Sequence, residues 1–167
     1  RLRKPDSRPA AEPTVDSYLY QEGEPYFAQV PDGAEEVAAE ELERLGATDI
    51  RAGYRGFYFS AERGVLYRIT YAALTVSRVL CPLIRFECHS PEYLYKRAQS
   101  IPWSALFTTK QTFAVFATVS NSVMRHSQYA ALTVKDAIVD QFRAKSGARP
   151  SVEPQDPDLW INLYLHA

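Results

Sequence analysis

Little in this chain is equipped for covalent chemistry. Its 167 residues include two cysteines, three histidines, one methionine and seven glycines. Cys81 and Cys88 stand seven apart in one apolar run, an odd separation that turns them to opposite faces of a strand. They are poor disulfide partners, and no second ligand pair lies near them for zinc. Buried, reduced thiols of a cytosolic protein are the reading that follows. His89, His126 and His166 are isolated, without Cys or carboxylate at ligand spacing. The glycines form no Gly-x-Gly-x-x-Gly or Walker-type loop and no Gly-x-Ser-x-Gly elbow. No run approaches 18 apolar residues, which excludes a transmembrane helix, and no membrane partner is expected. The first residues lack an initiator methionine and the apolar core of a signal peptide. The expectation is a cytoplasmic piece of a longer protein, with no catalytic residue, cofactor site or metal site of its own. A binding module fits this better than a catalyst.

A packed core, by contrast, is well supplied, since 46% of the residues are hydrophobic. Charge is balanced overall, at −1, but polarised along the chain. Residues 22–49 carry nine acids against Arg44, whereas residues 89–150 carry eight bases against three acids. A basic half can meet phosphate even when the whole molecule is neutral.

Residues 1–24, with three prolines and little periodicity, read as a flexible tail whose Arg1, Arg3, Lys4 and Arg8 are either solvated or in contact with RNA. Residues 25–31 read as a strand. Asp32 is placed to cap a helix that runs to Leu45, with Glu35 reaching back and Gly46 as the stop. Val37, Ala38, Leu42 and Leu45 form its inner face, and the glutamate pairs 35/36 and 40/41 its exterior. Strands are expected at 48–52 and 55–60, a helix over about 62–75 with Val65, Leu66, Ile69, Ala72 and Ala73 inward, and a β-rich run at 78–88. That β-α-β-β-α-β order, over residues 25–88, is ferredoxin-like. Residues 89–167 form a second unit in the order α-β-α-β: a helix at 91–101 capped by Ser90, a strand at 111–119, a helix at 128–145 that stops at Gly147, and a strand at 159–165. The fold class is α+β.

The helix at 128–145 buries Ala131, Val134, Ile138 and Phe142, with Lys135, Gln128 and Arg143 along one flank and Asp136 and Asp140 opposite. Ser127 is the expected N-cap. Unpaired N–H groups in a first helical turn accept a phosphate readily. Arg125 and His126 add donors, and Gln128 and Tyr129 add groups that hydrogen-bond or stack on unpaired nucleotides. Two readings stand: a phosphate grip, or a cap beside an arginine that pairs with a surface acid. Tyr129 is likewise open between RNA contact and packing.

Residues 120–142, SNSVMRHSQYAALTVKDAIVDQF, resemble the THUMP domain of bacterial 23S rRNA guanine-N2 methyltransferases, through Asn121, Arg125, Ser127-Gln128-Tyr129 and Lys135-Asp136-Ala137-Ile138-Val139-Asp140. Three more stretches agree: Pro31-x-Gly33-x-Glu35 with Glu41-Leu42-x-x-Leu45-Gly46; Leu94-Tyr95, Ile101-x-Trp103 and Phe107; and Arg149-Pro150 with Asp158-x-x-Ile161-x-Leu163. In such proteins a ferredoxin-like subdomain and a THUMP domain precede a Rossmann-like catalytic domain that binds S-adenosylmethionine and carries an Asn/Asp-Pro-Pro-aromatic motif. No such motif occurs here. The resemblance therefore implies an RNA-targeting portion whose catalytic domain lies downstream. Its partners would be structured RNA, ribosomal before transfer RNA, and that domain of the same chain. The residues nominated for RNA are Arg125, His126, Ser127, Gln128, Tyr129, Lys135, Arg143, Lys145 and Arg149. A protein-docking module is the alternative, with the acidic helix 33–45 as its contact. THUMP modules also occur in tRNA-modifying enzymes, and similar catalytic domains invite the label of adenine-N6 DNA methylation.

Overall fold

A computed structural model describes residues 16–23, 25–120, 122 and 124–166. Arg1, Arg3, Lys4, Arg8 and Asn121 lie outside the described residues. The chain divides into two compact units, 16–86 and a second that begins at Glu87.

The first unit holds β1 (Tyr26–Gln29), α1 (Glu35–Leu45), β2 (Thr48–Gly53), β3 (Gly56–Ser60), α2 (Arg63–Ala72) and β4 (Arg78–Leu80). The sheet order is β2-β3-β1-β4, and each neighbouring pair is antiparallel. Phe57 and Phe59 turn inward while Tyr58 between them stays exposed, the alternation of a half-buried strand. Their rings join Ala28, Val30, Ala38, Leu42 and Ile69 in one core. On the other sheet face, Phe27 meets Tyr58 edge-on at 4.9 Å. The close pairing of β3 with β1 requires Gly56: a Cβ there would lie 2.1 Å from the Ala28 carbonyl oxygen.

Several expectations need correction in this unit. Asp32 does not cap α1. Its carboxylate pairs with Arg55, at 3.0 Å to Nε, and Ala34 occupies the cap position without a side-chain bond. Glu35 does reach back, accepting from the Gly33 N–H at 2.7 Å. Gly46 closes the helix at φ 104, the left-handed conformation that favours glycine. Val37, assigned to the core, is 60% exposed, and Ala72 is also exposed. Glu41, assigned to the exterior, is 4% exposed. Its carboxylate accepts from the Leu74 and Thr75 N–H groups, each at 2.9 Å, and from the Thr75 hydroxyl. These bonds tie the turn after α2 to the middle of α1. They also hold the Glu41 carboxyl below the usual range, the Thr75 hydroxyl contributing most.

Only Arg78–Leu80 of the expected 78–88 strand joins the sheet. Pro82 has no N–H to donate to a ladder. The next carbonyls bond elsewhere: Pro82 accepts from the Tyr20 N–H and Leu83 from the Leu19 N–H, both at 3.0 Å. Residues 16–23, assigned to the flexible tail, thus hold a 3-10 turn at Leu19–Gln21. Tyr18 is buried and stacks on Tyr20, ring centres 5.8 Å apart.

The second unit holds α3 (Pro91–Ser100), a 3-10 turn at Trp103–Ala105, β5 (Thr112–Ser120), α4 (Ser127–Ser146), β6 (Ser151–Val152) and β7 (Leu159–His166). The sheet order is β6-β5-β7, all parallel. Ser90 caps α3, its hydroxyl accepting from the Tyr93 N–H at 3.1 Å. The two-residue β6 carries no periodic signal that sequence could show.

Candidate nucleic-acid interface

The side chains that face solvent at the start of α4 depend on what is fixed behind them. Phe113, Ala114 and Ala117 of β5 are buried, as are Ala130, Val134, Ala137, Ile138, Val139 and Phe142 of α4. This buried face is wider than the expected stripe, because α4 packs against both α3 and β5. Ala131, placed in that stripe, is only half-buried.

Gln141 locks α4 to the end of α3. Its Nε2 donates to the carbonyls of Gln99 and Ile101, both at 2.7 Å, and its Oε1 accepts from the Trp103 N–H at 3.1 Å. Two carbonyls near the end of α3, which have no helical partner, are satisfied in this way. The Trp103 indole donates to Ala98 O at 2.8 Å. Tyr95 donates to Asp140 at 2.8 Å. Burial first, and the Asp140 carboxylate second, push the Tyr95 hydroxyl up to about 12. At the sheet end, Asp158 accepts from the Thr112 N–H at 2.7 Å and from its hydroxyl, setting β7 beside β5. Sequence reasoning missed Gln141. Its only advance signal is a polar residue beside the apolar stripe.

Met124 is buried at 3% exposure and anchors the loop before α4. The five residues that follow, Arg125, His126, Ser127, Gln128 and Tyr129, are all exposed. His126, not Ser127, is the cap residue; its backbone is extended and its side chain makes no capping bond. Ser127 is the first helical residue, so the cap expected of it is not formed. No acid lies in the first turn. The positive end of a 20-residue helix therefore opens beside Arg125. Tyr129 is 54% exposed and presents much of its ring to solvent.

The remaining nominated cations are spread out. Lys135 pairs with its neighbour Asp136 at 2.6 Å, and Arg143 with Asp140 at 3.7 Å. The acidic and basic flanks expected to be separate are thus in contact. Lys145 donates to the Ser104 hydroxyl at 2.8 Å, and Arg149 is exposed beyond Gly147. At about 1.5 Å per residue, Lys145 lies roughly 27 Å along the helix from the loop. The structure gathers Arg125 to Tyr129 and leaves Lys145 and Arg149 at the far end.

Among the described residues, no group of three or more His, Cys, Asp or Glu could hold a metal, and no helix is long and apolar enough to cross a membrane.

Comparison with known proteins covers both units. Residues 25–80 match the RlmL ferredoxin-like domain, and residues 88–167 match the THUMP domain. The ribosomal RNA large subunit methyltransferase K/L of Cellvibrio japonicus is 39% identical over 140 residues, and that of Syntrophotalea carbinolica 38% over 140. Each alignment covers 84% of this chain, which spans only about a fifth (19% and 20%) of the length of those relatives. A solved structure from Listeria monocytogenes, described as a predicted N6-adenine-specific DNA methylase, superposes with a TM-score of 0.69 at 20% identity. It covers 89% of this chain and 40% of that one, and the likeness is one of fold. The chain thus carries an RlmL-type ferredoxin-like domain followed by a THUMP domain.

Proposed function

We propose that this chain is the RNA-targeting part of an S-adenosylmethionine-dependent RNA methyltransferase, holding structured ribosomal RNA in the cytoplasm for a catalytic domain outside these residues. One observation carries the reading. Five consecutive exposed residues, Arg125 to Tyr129, surround a helix N-terminus that no side chain caps among the described residues. Unpaired N–H groups, a guanidinium fork, an imidazole and an aromatic ring suit a phosphate with a neighbouring base. Lys135 and Arg143 must exchange an acid for a phosphate to take part, so Arg125 leads. S-adenosylmethionine belongs to the outside domain in this reading. The β5–α4 turn, where a parallel sheet would cradle a nucleotide, has no glycine for close backbone approach.

The chemistry predicts modest sequence selectivity, since phosphate contacts position but do not specify. Fluorescence anisotropy with labelled ribosomal RNA hairpins, a transfer RNA and a DNA duplex tests the assignment. Tighter binding of the hairpins than of DNA at equal salt is expected. Equal affinity for all three, or none, contradicts it. A preference for transfer RNA moves the reading to a tRNA-modifying enzyme.

A second reading, docking on that catalytic domain, is favoured by the sheet of the second unit. Parallel sheets are normally covered on both faces. Here Phe116, Trp160 and Tyr164 share the face opposite Phe113 and Ile161 and are 51%, 39% and 47% exposed. The catalytic domain supplied in trans would bind the chain and lose affinity for Phe116→Ser.

A further inference from the structure

From α2 of the ferredoxin-like unit we infer that a second RNA contact exists, one that stacks unpaired bases on Tyr67 and Tyr71 beside Arg63. The inference rests on the RNA reading proposed above. Helix α2 buries Ile69 and partly buries Val65 and Leu66, so its inner face is satisfied. Its outer face carries Arg63, Tyr67 and Tyr71 at four-residue spacing, one above the next. Tyr67 is 62% exposed and Tyr71 95%. Two large rings turned outward on one helix are a marked use of apolar area in water.

Charge selects the partner. The helix has two arginines and no acid, and residues 51–86 hold six arginines, of which Arg55 pairs with Asp32, against Glu62 alone. Arg68 turns toward α1, donating to the Leu45 carbonyl at 3.3 Å. Arg63, five residues earlier, projects roughly 140° away from it around the helix. The Arg63 guanidinium lies over the Tyr67 ring, 5.8 Å from its centre. A planar cation and two exposed rings form a ladder that a polyanion with splayed bases can enter. Beside them, Gly64 is exposed, with no described residue within 4 Å of a would-be Cβ, so no side chain crowds the approach to Arg63 and Tyr67.

Stacking and phosphate contact leave different signatures, which makes the test selective. Two probes are titrated into the full chain at one salt concentration: an RNA hairpin with an unpaired loop and a blunt RNA duplex of equal length. Tyr67→Ala/Tyr71→Ala is compared with Tyr67→Phe/Tyr71→Phe and with Arg125→Ala. Both tyrosines are solvent-facing and alanine is a strong helix former, so far-ultraviolet circular dichroism should be unchanged. The expected result is a loss of about fivefold or more in hairpin affinity for the alanine pair. Duplex binding should be intact, and the phenylalanine pair should behave as wild type. Unchanged hairpin affinity in the alanine pair overturns the inference and marks the stripe as a surface for protein. Equal losses on hairpin and duplex overturn it too, because base stacking would not be the cause. If Arg125→Ala weakens binding while the alanine pair does not, this inference fails and the RNA reading survives. If the wild-type chain binds neither probe, both fail.

Discussion

Glu41 shows how one buried carboxylate can organise a small unit. It belongs to a helix rich in glutamates, and sequence offers no means of distinguishing it from Glu40. Its partners, Leu74 and Thr75, lie more than thirty residues away. Glu41→Gln keeps the shape but replaces one acceptor oxygen with an NH2 group, which must then face a backbone N–H. A cost of about 1–3 kcal/mol in urea unfolding is expected. The pH dependence has a definite sign. Folding lowers the carboxyl from 4.5, so its contribution is complete above that pH and fades as pH falls through the lowered value. Melting temperatures from pH 6 to pH 3 should fall more steeply for wild type than for Glu41→Gln; parallel curves contradict this account. Gly56 makes the opposite kind of demand, for empty space. Gly56→Ala would push a methyl into the Ala28 carbonyl and should cost about 3 kcal/mol or more, read in the same unfolding experiment. The strand holding Gly56 was legible at 55–60, but the β1 carbonyl that crowds Gly56 was not. Gly46, by contrast, is legible, because a glycine after a periodic helix has one common use.

Among the elements, periodicity exposed the long ones and missed those made by distant pairing. Helix α4 was visible from Val134, Ile138 and Phe142, yet Ala130, Ala137 and Val139 are buried as well, because two neighbours flank the helix. Its first turn differs by one residue from the sequence reading, and that residue decides whether Ser127 caps or is helical. The strand expected over 78–88 shrinks to three residues, since apolar content signals burial and not ladder pairing. Gln141 joins elements that pattern alone could not connect. Gln141→Leu removes two donated bonds and one accepted bond within the second unit. It should cost roughly 2–4 kcal/mol, with hydrogen exchange accelerated at the end of α3 and at Trp103. Unchanged protection there would show that α3 is held by packing alone.

Over the whole molecule, the acid-rich stretch 22–49 and the base-rich stretch 89–150 were plain in sequence, and so was the polar loop before α4. What sequence hid is how the cations are engaged. Lys135 and Arg143 are paired with acids beside them, so the basic count overstates the charge on offer. Pairing of this kind in exposed positions is weak, about 1 kcal/mol or less, and phosphate can displace it. Arg125 therefore ranks above Lys135 as a phosphate ligand. The most direct test is the salt dependence of hairpin RNA binding for wild type, Arg125→Ala and Lys135→Ala. Each phosphate contact should contribute roughly 0.7–0.9 to the slope of log affinity against log salt. Arg125→Ala should lower both affinity and slope by about one contact, and Lys135→Ala should lower them less. Identical slopes and affinities for all three, with folding intact, would contradict a phosphate grip at the start of α4.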